Sequence, residues 1–182
     1  MISMRQEKAR LQYKPTKIRC LLLTEAPPPD ESERFFYYEQ VPRGDSFFLE
    51  TIKVLFPEEY KTFDTVKEVR AHKTYFLERL QEVGFYVLSA YPESLKGHTA
   101  AQRIRKYRQY WTYLIGDLTA LIKPSTPIIL ISAVVYQALA TNLSMVGFNV
   151  LNEGQIEFPN SGQQGRFKTK FSRLVNLHQL SD

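Results

Sequence analysis

The feature that most restricts the fold is a short apolar segment that runs into an acid and three prolines, IRCLLLTEAPPPD at residues 18–30. Continuous apolar runs of this length are typical of strands that are buried on both faces, as in a parallel sheet. Prolines have no backbone N–H and fix φ at about −65°, so the prolines at 27–29 must end the strand and stiffen the loop. We therefore predict a buried strand that holds Glu25 at its tip in a rigid loop. The alternative is a simple strand terminator that caps a neighbouring helix.

Further apolar segments alternate with helical patterns along the rest of the chain. Strand-like segments occupy residues 84–92, 127–135 and, more weakly, 147–152. Between them, apolar residues recur every three or four positions, as on one face of a helix. These helical stretches begin near Phe48, Val66, Ile104 and Phe167. The alternation predicts an α/β domain whose parallel sheet is covered on both faces.

In sheets of this kind ligands bind beyond the carboxyl ends of the strands. The loops expected at that edge follow Thr24, Leu88, Ser132 and Asn152. We therefore look for functional side chains in these four loops.

Composition narrows the class of protein further. A chain of 182 residues with 43% apolar and 13% aromatic residues is typical of one globular domain, here residues 1–182 with a basic N-terminal extension at 1–17. The longest apolar runs are far shorter than the roughly 20 residues that span a bilayer, and the N-terminus does not resemble a signal peptide. We therefore predict a cytoplasmic protein with no membrane partner.

Metal and cofactor sites have little support in the sequence. Cys20 is the single cysteine, which excludes an internal disulfide and a four-thiolate iron–sulfur or zinc site. The three histidines show no metal-ligand spacing and no Ser/His/Asp grouping. The sequence therefore predicts no metal, no iron–sulfur cluster and no cofactor.

The net charge of +5 is distributed unevenly along the chain. Residues 1–20 carry a net +5, residues 21–95 a net −6 and residues 96–182 a net +6. Basic ends around an acidic middle are compatible with a polyanion bound along one face, so DNA or another nucleic acid is the predicted partner. The alternative is surface charge that is uneven without a binding role.

Two loops contain side chains suited to contact with a nucleotide. The segment 35–40 follows the prolines and contains four consecutive aromatic residues, of which Phe36 and Tyr37 are candidates to stack on a base. The same aromatics could instead cover the core.

The second loop lies at residues 158–163, in front of the last helical stretch. A Ser/Gly-rich loop at a helix N-terminus offers free N–H groups and a favourable dipole to a phosphate. The phosphate-binding candidates are Ser161, Gly162, Gln163, Arg166 and Lys168. The alternative is an ordinary helix start with a solvated basic face.

The helical stretch 100–114 interleaves cations with aromatics, which is a combination that grips single-stranded nucleic acid. Tyr107 and Trp111 fall on the apolar stripe of this helix, however, and we favour core packing for both.

Three motifs in this order resemble the uracil-DNA glycosylase superfamily. The segment LLLTEAPP is similar to the first motif of its GEAPG-type members, IILISAVVYQAL to its third strand and following helix, and FPNSGQQGRF lies where its HPS-type motif would be. The resemblance covers about residues 18–175. It implies a three-layer α/β/α fold with a central four-stranded parallel sheet, and an activity that cuts the N-glycosidic bond of a damaged base flipped out of a duplex.

The resemblance also implies site residues. Glu25 matches the glutamate of the first motif and is the candidate catalytic carboxylate, with Asp30 and Glu31 of the same loop as alternatives. Ala26, followed by Pro27, stands where the most active members have aspartate. Ser89 takes the place of an asparagine that reads the uracil edge. Phe158 replaces the histidine of the last motif, where Asn160 or Ser161 is the candidate polar group. We place Ala26, Pro27, Phe36, Tyr37, Ser89, Phe158 and Asn160 around the base.

These replacements leave two functions open. The first is a divergent uracil-DNA glycosylase-like protein that binds nucleic acid or a nucleotide and hydrolyses a damaged base with weak or altered activity. The second is a non-catalytic module that keeps the fold and binds nucleic acid or a protein. An α/β enzyme that acts on an unrelated small molecule is a third alternative.

Overall fold

The apolar segment at residues 18–30 forms the central strand of a parallel sheet. The computed structural model describes residues 3–180. In it β1 (Cys20–Thr24) lies between β2 (Phe85–Ser89) and β3 (Ile128–Leu130), and all pairs are parallel. Every residue of β1 is buried, which requires cover on both faces of the strand. The structure is therefore a mixed α/β domain with its core around β1.

Nine helices surround the sheet within the described residues. They are α1 (Met4–Gln12), α2 (Ser46–Leu55), α3 (Pro57–Tyr60), α4 (Val66–Ala71), α5 (Lys73–Val83), α6 (Ala100–Gln109), α7 (Trp111–Leu121), α8 (Ala133–Met145) and α9 (Gln164–Leu177). Among helices that are not consecutive in the chain, α2 packs on α9 and α6 packs on α8. None of the helices between residues 3 and 180 combines the length and apolar character needed to cross a bilayer.

The predicted four-stranded sheet is wrong in its last strand. Residues 147–152 do not form a strand and contribute one parallel bridge, between Val150 and Ile128. The Ile128 N–H donates to the Asn149 carbonyl at 2.8 Å, and the Leu151 N–H donates back to the Ile128 carbonyl at 2.9 Å. The sheet formed by the described residues therefore has three strands.

Beyond this bridge, the side chain of Asn152 forms the hydrogen bonds that a neighbouring strand would have formed. The Leu130 N–H donates to Asn152 Oδ1 at 2.7 Å, and Asn152 Nδ2 donates to the Leu130 carbonyl at 2.9 Å. One asparagine amide thus satisfies both backbone groups that a fourth strand would have paired. The chain can therefore leave the sheet after a single bridge. A sequence pattern alone does not reveal that a side chain replaces the backbone of a fourth strand here.

Local sequence explains several helix boundaries. Thr65 with Glu68 and Thr99 with Gln102 form capping boxes at the starts of α4 and α6. Gly84 ends α5 with φ +83°, and a Cβ there would lie 2.9 Å from the Lys17 carbonyl oxygen, so β2 can start at once only with glycine.

The basic N-terminal segment is packed on the domain from residue 3 onwards. Gln6 is buried and its side-chain amide donates to the Pro28 carbonyl at 3.0 Å. Arg10 donates to the Tyr86 hydroxyl at 2.9 Å, and the Arg5 guanidinium lies 4.3 Å from the ring centroid of Tyr38. Helix α1 therefore ties the proline loop to the edge strand β2.

Candidate functional site

A cleft of about 1050 Å³ opens at the carboxyl ends of β1 and β2. This volume is near the upper end of the range for small-molecule sites, about 300–1,000 Å³. Its walls come from helix α1, the proline loop, the start of α2, the loop after β2, helices α6 and α7, and the segment before α9. The lining includes Glu25, Ser89 and Asn160. Three segments that are far apart in the sequence therefore meet at one edge of the sheet.

Glu25 is held by two donors from different parts of the chain. Arg103 Nη1 of α6 forms an ion pair with Glu25 Oε2, and Ser132 Oγ donates to Oε1 at 2.6 Å. The Glu25 side chain is 21% exposed and lines the cleft. A carboxylate oxygen has two acceptor sites, so each oxygen can still take a hydrogen bond from a water or ligand. The carboxylate is thus oriented and remains accessible.

Ser132 achieves this contact in an unusual backbone conformation. Its φ of +96° lies in the region that favours glycine, at the turn from β3 into α8. The residue is 2% exposed, its hydroxyl accepts from the Val134 N–H at 3.1 Å, and its N–H donates to the Ile156 carbonyl at 2.8 Å. Such strain costs about 1–3 kcal/mol and persists where the surroundings over-determine it. The hydroxyl gives a reason for serine at this position, because it donates to Glu25 and caps the start of α8.

Tyr107 anchors the next residue of the proline loop. The Ala26 N–H donates to the Tyr107 hydroxyl at 3.1 Å, and Tyr107 is fully buried. Burial raises the pKa of Tyr107 to about 12, and the Ala26 hydrogen bond acts in the opposite direction. Core packing, which we favoured for this residue, is confirmed. Arg103 and Tyr107 are one helical turn apart, so a single face of α6 holds both Glu25 and Ala26.

The two candidate stacking aromatics lie in different environments. Tyr37 is 3% exposed, and its hydroxyl accepts from the Val87 N–H at 2.7 Å. Burial raises the pKa of Tyr37 well above its ordinary value. Phe36 is half-buried, lines the cleft and lies 5.2 Å from Phe47 between ring centroids. Tyr37 therefore fastens the loop to β2, and Phe36 is the more accessible aromatic surface.

The segment before α9 contributes only part of its predicted residues to the cleft. Phe158 and Asn160 line it, and the Phe158 ring centroid lies 5.3 Å from that of Phe47. Within residues 3–180, the lining does not include the predicted phosphate-binding residues Ser161, Gly162, Gln163, Arg166 and Lys168. Arg166 and Lys168 are exposed on α9. These residues form a separate surface beside the cleft.

The wall at the start of α2 contains a second buried charge cluster. Asp45 is 4% exposed and accepts two hydrogen bonds on Oδ1 from Arg70, at 2.7 and 3.0 Å. Behind it Lys73 is 1% exposed, with Nζ 4.5 Å from the Phe48 ring centroid and no hydrogen-bond partner within residues 3–180. Burial lowers the pKa of Lys73 to about 7, against the opposing effect of Asp45.

Two further polar atoms near the cleft floor have no partner among the described residues. They are Thr24 Oγ1 and Arg103 Nε, and both residues line the cleft. Both atoms are buried, so the half-buried Ser89 is the more accessible hydrogen-bonding group at this end of the sheet. Over residues 3–180, no group of three or more His, Cys, Asp or Glu side chains could hold a metal ion.

Sequence reasoning missed the two partners of Glu25. The sequence predicts Ser132 only as the end of a strand, and it places Arg103 only among the cations of residues 100–114. For Arg103, the available signal was its spacing of four residues from Tyr107 on one helix face. The positive φ of Ser132 has no signal in the sequence, because serine rarely adopts it.

No protein-family model matches this chain, and a search of curated proteins finds no sequence that is significantly similar. The functional argument therefore depends on the geometry of the cleft.

Proposed function

We propose that this chain is a divergent uracil-DNA glycosylase-like protein, which binds a nucleotide in the cleft and hydrolyses its N-glycosidic bond with Glu25 as the carboxylate. The observation that carries the proposal is the convergence of Glu25, Ser89 and Asn160 on one cleft at the carboxyl ends of parallel strands. The three-layer arrangement of that superfamily is part of the same proposal.

The base fits the part of the cleft between Phe36 and Phe158. Both rings line the cleft and both lie against Phe47, so they offer apolar faces to a planar ligand. Ser89 and Asn160 supply a hydroxyl and an amide for the polar edge of the base. A pocket that is mainly apolar with a few polar groups is typical of small-molecule sites.

In the proposed reaction the oxygen of a water bonds to C1′ of the sugar while the C1′–N bond breaks. The base departs with the bonding electron pair, Glu25 takes a proton from the water, and the base anion is protonated afterwards. Arg103 and Ser132 keep the carboxylate in one orientation, so Glu25 meets the water without reorganisation. The negative charge of Glu25 also stabilises the cationic sugar as the bond breaks.

The rate in this proposal is low. Phe158 has no hydrogen-bond donor for the departing base, and one missing donor of that kind typically costs about 10²–10³ in rate. Ala26 provides no second carboxylate beside Glu25. The proposed activity is therefore weak, or is directed at bases that leave more readily than uracil.

A second function is favoured by the ion pair itself. Arg103 and Ser132 each occupy one oxygen of Glu25, as in a structural anchor for the proline loop. In this alternative the cleft binds a nucleotide or nucleic acid without chemistry.

Incubation with oligonucleotides that contain uracil, hypoxanthine or a mismatch, followed by alkaline cleavage, separates the two functions. We expect slow strand breaks with the wild-type chain, their loss in Glu25→Gln, and wild-type rates in Glu31→Gln. Glu31 is an exposed acid of the same loop that does not line the cleft, and it is the matched control. Binding without breaks supports the non-catalytic module. Breaks that persist in Glu25→Gln overturn the assigned role of Glu25.

A further inference from the structure

Three tyrosines form a continuous row from the cleft to the protein surface. The ring centroids of Tyr91 and Tyr110 are 5.3 Å apart in an edge arrangement, and those of Tyr110 and Tyr113 are 5.5 Å apart and stacked at 22°. Tyr91 and Tyr110 line the cleft, whereas Tyr113 is 70% exposed. We call Tyr91, Tyr110 and Tyr113 the tyrosine row. Its outer end presents an aromatic face to solvent.

Two tyrosines of the row follow a basic helix, since Tyr110 comes directly after α6 and Tyr113 lies on α7. Helix α6 carries Arg103, Arg105, Lys106 and Arg108 and contains no acid. Tyr110 keeps a helical backbone between α6 and α7, because its N–H bonds to the Lys106 carbonyl and its carbonyl accepts from Leu114. Lys106, Tyr110 and Tyr113 therefore follow one helix face in steps of four and three. That face thus carries one cation followed by two aromatic rings.

Two acids lie near the row, Asp117 and Glu93, and both line the cleft. The Tyr110 hydroxyl donates to Asp117 Oδ2 at 3.4 Å, and Glu93 follows Tyr91 by two residues. A carboxylate repels phosphate, so a nucleic acid backbone is expected on the α6 side of the row, near Lys106 and Arg105. The bases are then directed towards the rings.

We propose that the tyrosine row extends the cleft as a stacking platform for the unpaired bases of a single-stranded nucleic acid. The inference rests on the proposed function and names its substrate class. In a duplex the faces of the bases are already stacked on one another, whereas in a single strand they are free to stack on protein rings. Basic side chains next to exposed aromatics are the combination that such strands require.

The test measures the affinity of the full chain for a labelled 12-mer single strand, the same sequence as a duplex, and the mononucleotide dUMP. We expect the single strand to bind more tightly than the duplex. Tyr113→Ala should weaken single-strand binding about tenfold, since stacking on one ring accounts for roughly 5- to 100-fold in affinity. Tyr113→Trp should restore it. Binding of dUMP should not change, because Tyr113 does not line the cleft.

Tyr75→Ala is the matched control. Tyr75 is another exposed tyrosine, 42% accessible, on α5 and outside the cleft. It should leave single-strand binding unchanged. An equal loss in Tyr75→Ala and Tyr113→Ala would show a general effect of tyrosine removal and overturn the inference.

The remaining outcomes separate this inference from the proposed function. Binding of dUMP without any effect of Tyr113→Ala on the single strand overturns the inference alone. Single-strand binding that depends on Tyr113, in a chain that makes no strand breaks, supports the inference and leaves the non-catalytic module as the function. Preference for the duplex, or no binding of any oligonucleotide, overturns it and points to another occupant of the row, such as a protein.

Discussion

The two walls of the cleft differ in how the buried charges in and behind them are compensated. On one wall Glu25 is paired with Arg103 and accepts from Ser132, so its charge is compensated where it lines the cleft. On the other wall Asp45 is compensated by Arg70, but Lys73 behind it has no hydrogen-bond partner within residues 3–180. The first wall is organised to hold a charge in position. The second holds an amine that burial drives towards the neutral form.

The difference bears on the catalytic role that we propose for Glu25. A catalytic carboxylate needs fixed geometry and spare acceptor sites, and both are found at Glu25. Lys73 does not line the cleft, so its altered pKa concerns stability.

Lys73→Met should stabilise the protein most, by on the order of 3 kcal/mol at pH 6. The unfolded amine holds its proton up to a pKa of about 10.5, whereas the folded amine loses it near pH 7, so folding below that pH must bury a charge. Wild-type stability is therefore lowest below about pH 7 and rises with pH above it, by up to about 1.4 kcal/mol per pH unit. Urea unfolding at about pH 6, 7, 8 and 9 measures this slope.

The slope should disappear in Lys73→Met. Lys67→Met on α4 is the control, because Lys67 is an exposed lysine. A wild-type stability that does not rise between about pH 7 and pH 9 would contradict the low pKa of Lys73.

Arg103→Met should lower the free energy of unfolding of the protein by about 1–3 kcal/mol. It leaves the Glu25 carboxylate partly buried with one donor, and removal of one partner from a fully buried pair costs about 3–5 kcal/mol before solvent exposure reduces it. Any strand cleavage should fall as well, since Glu25 loses its orientation. Arg105→Met, an exposed change on the same helix, is the control. Equal unfolding free energies for the two variants would show that the ion pair does not stabilise the fold.

Ser132→Ala should cost about 2 kcal/mol, more than Ser132→Gly. Alanine keeps the strained φ of +96° and loses both hydroxyl hydrogen bonds, whereas glycine loses the same bonds but relieves the strain. Thermal or urea unfolding of the two variants gives the order. The reverse order would mean that the backbone at Ser132 is not strained.

The double change Arg166→Gln and Lys168→Gln should have the smallest effect on stability, within about 0.5 kcal/mol, because both side chains are exposed. As the predicted phosphate contacts, they should lower the salt dependence of single-strand binding by about 0.7 in log–log slope for each charge. Affinity measured from low to moderate salt gives the slope. An unchanged slope would remove α9 from the binding surface and leave the cleft and α6.

Sequence patterns predicted the positions of three strands correctly, but not the number of strands in the sheet. The apolar runs at 20–24, 85–89 and 128–130 are strands as expected. Short continuous apolar runs are typical of strands that are buried on both faces of a sheet. The fourth strand failed because Asn152 pairs with Leu130 through its side chain. The helical stretch from Ile104 also divides, with α6 ending at Gln109 and α7 beginning at Trp111. Both differences arise from contacts that have no periodicity in the sequence.

For the site, residue types alone predict that an acid follows a buried strand and that three prolines stiffen the loop after it, since burial and a fixed φ are local consequences of residue type. Which groups compensate that acid depends on the tertiary packing. Arg103 and Ser132 lie 78 and 107 residues away from Glu25, and their contacts depend on how α6 and the turn after β3 pack on the sheet. The same packing placed Asn160 in the cleft and left Arg166 and Lys168 outside its lining. Contacts between distant segments are set by the sum of many packing interactions, which no short stretch of sequence contains.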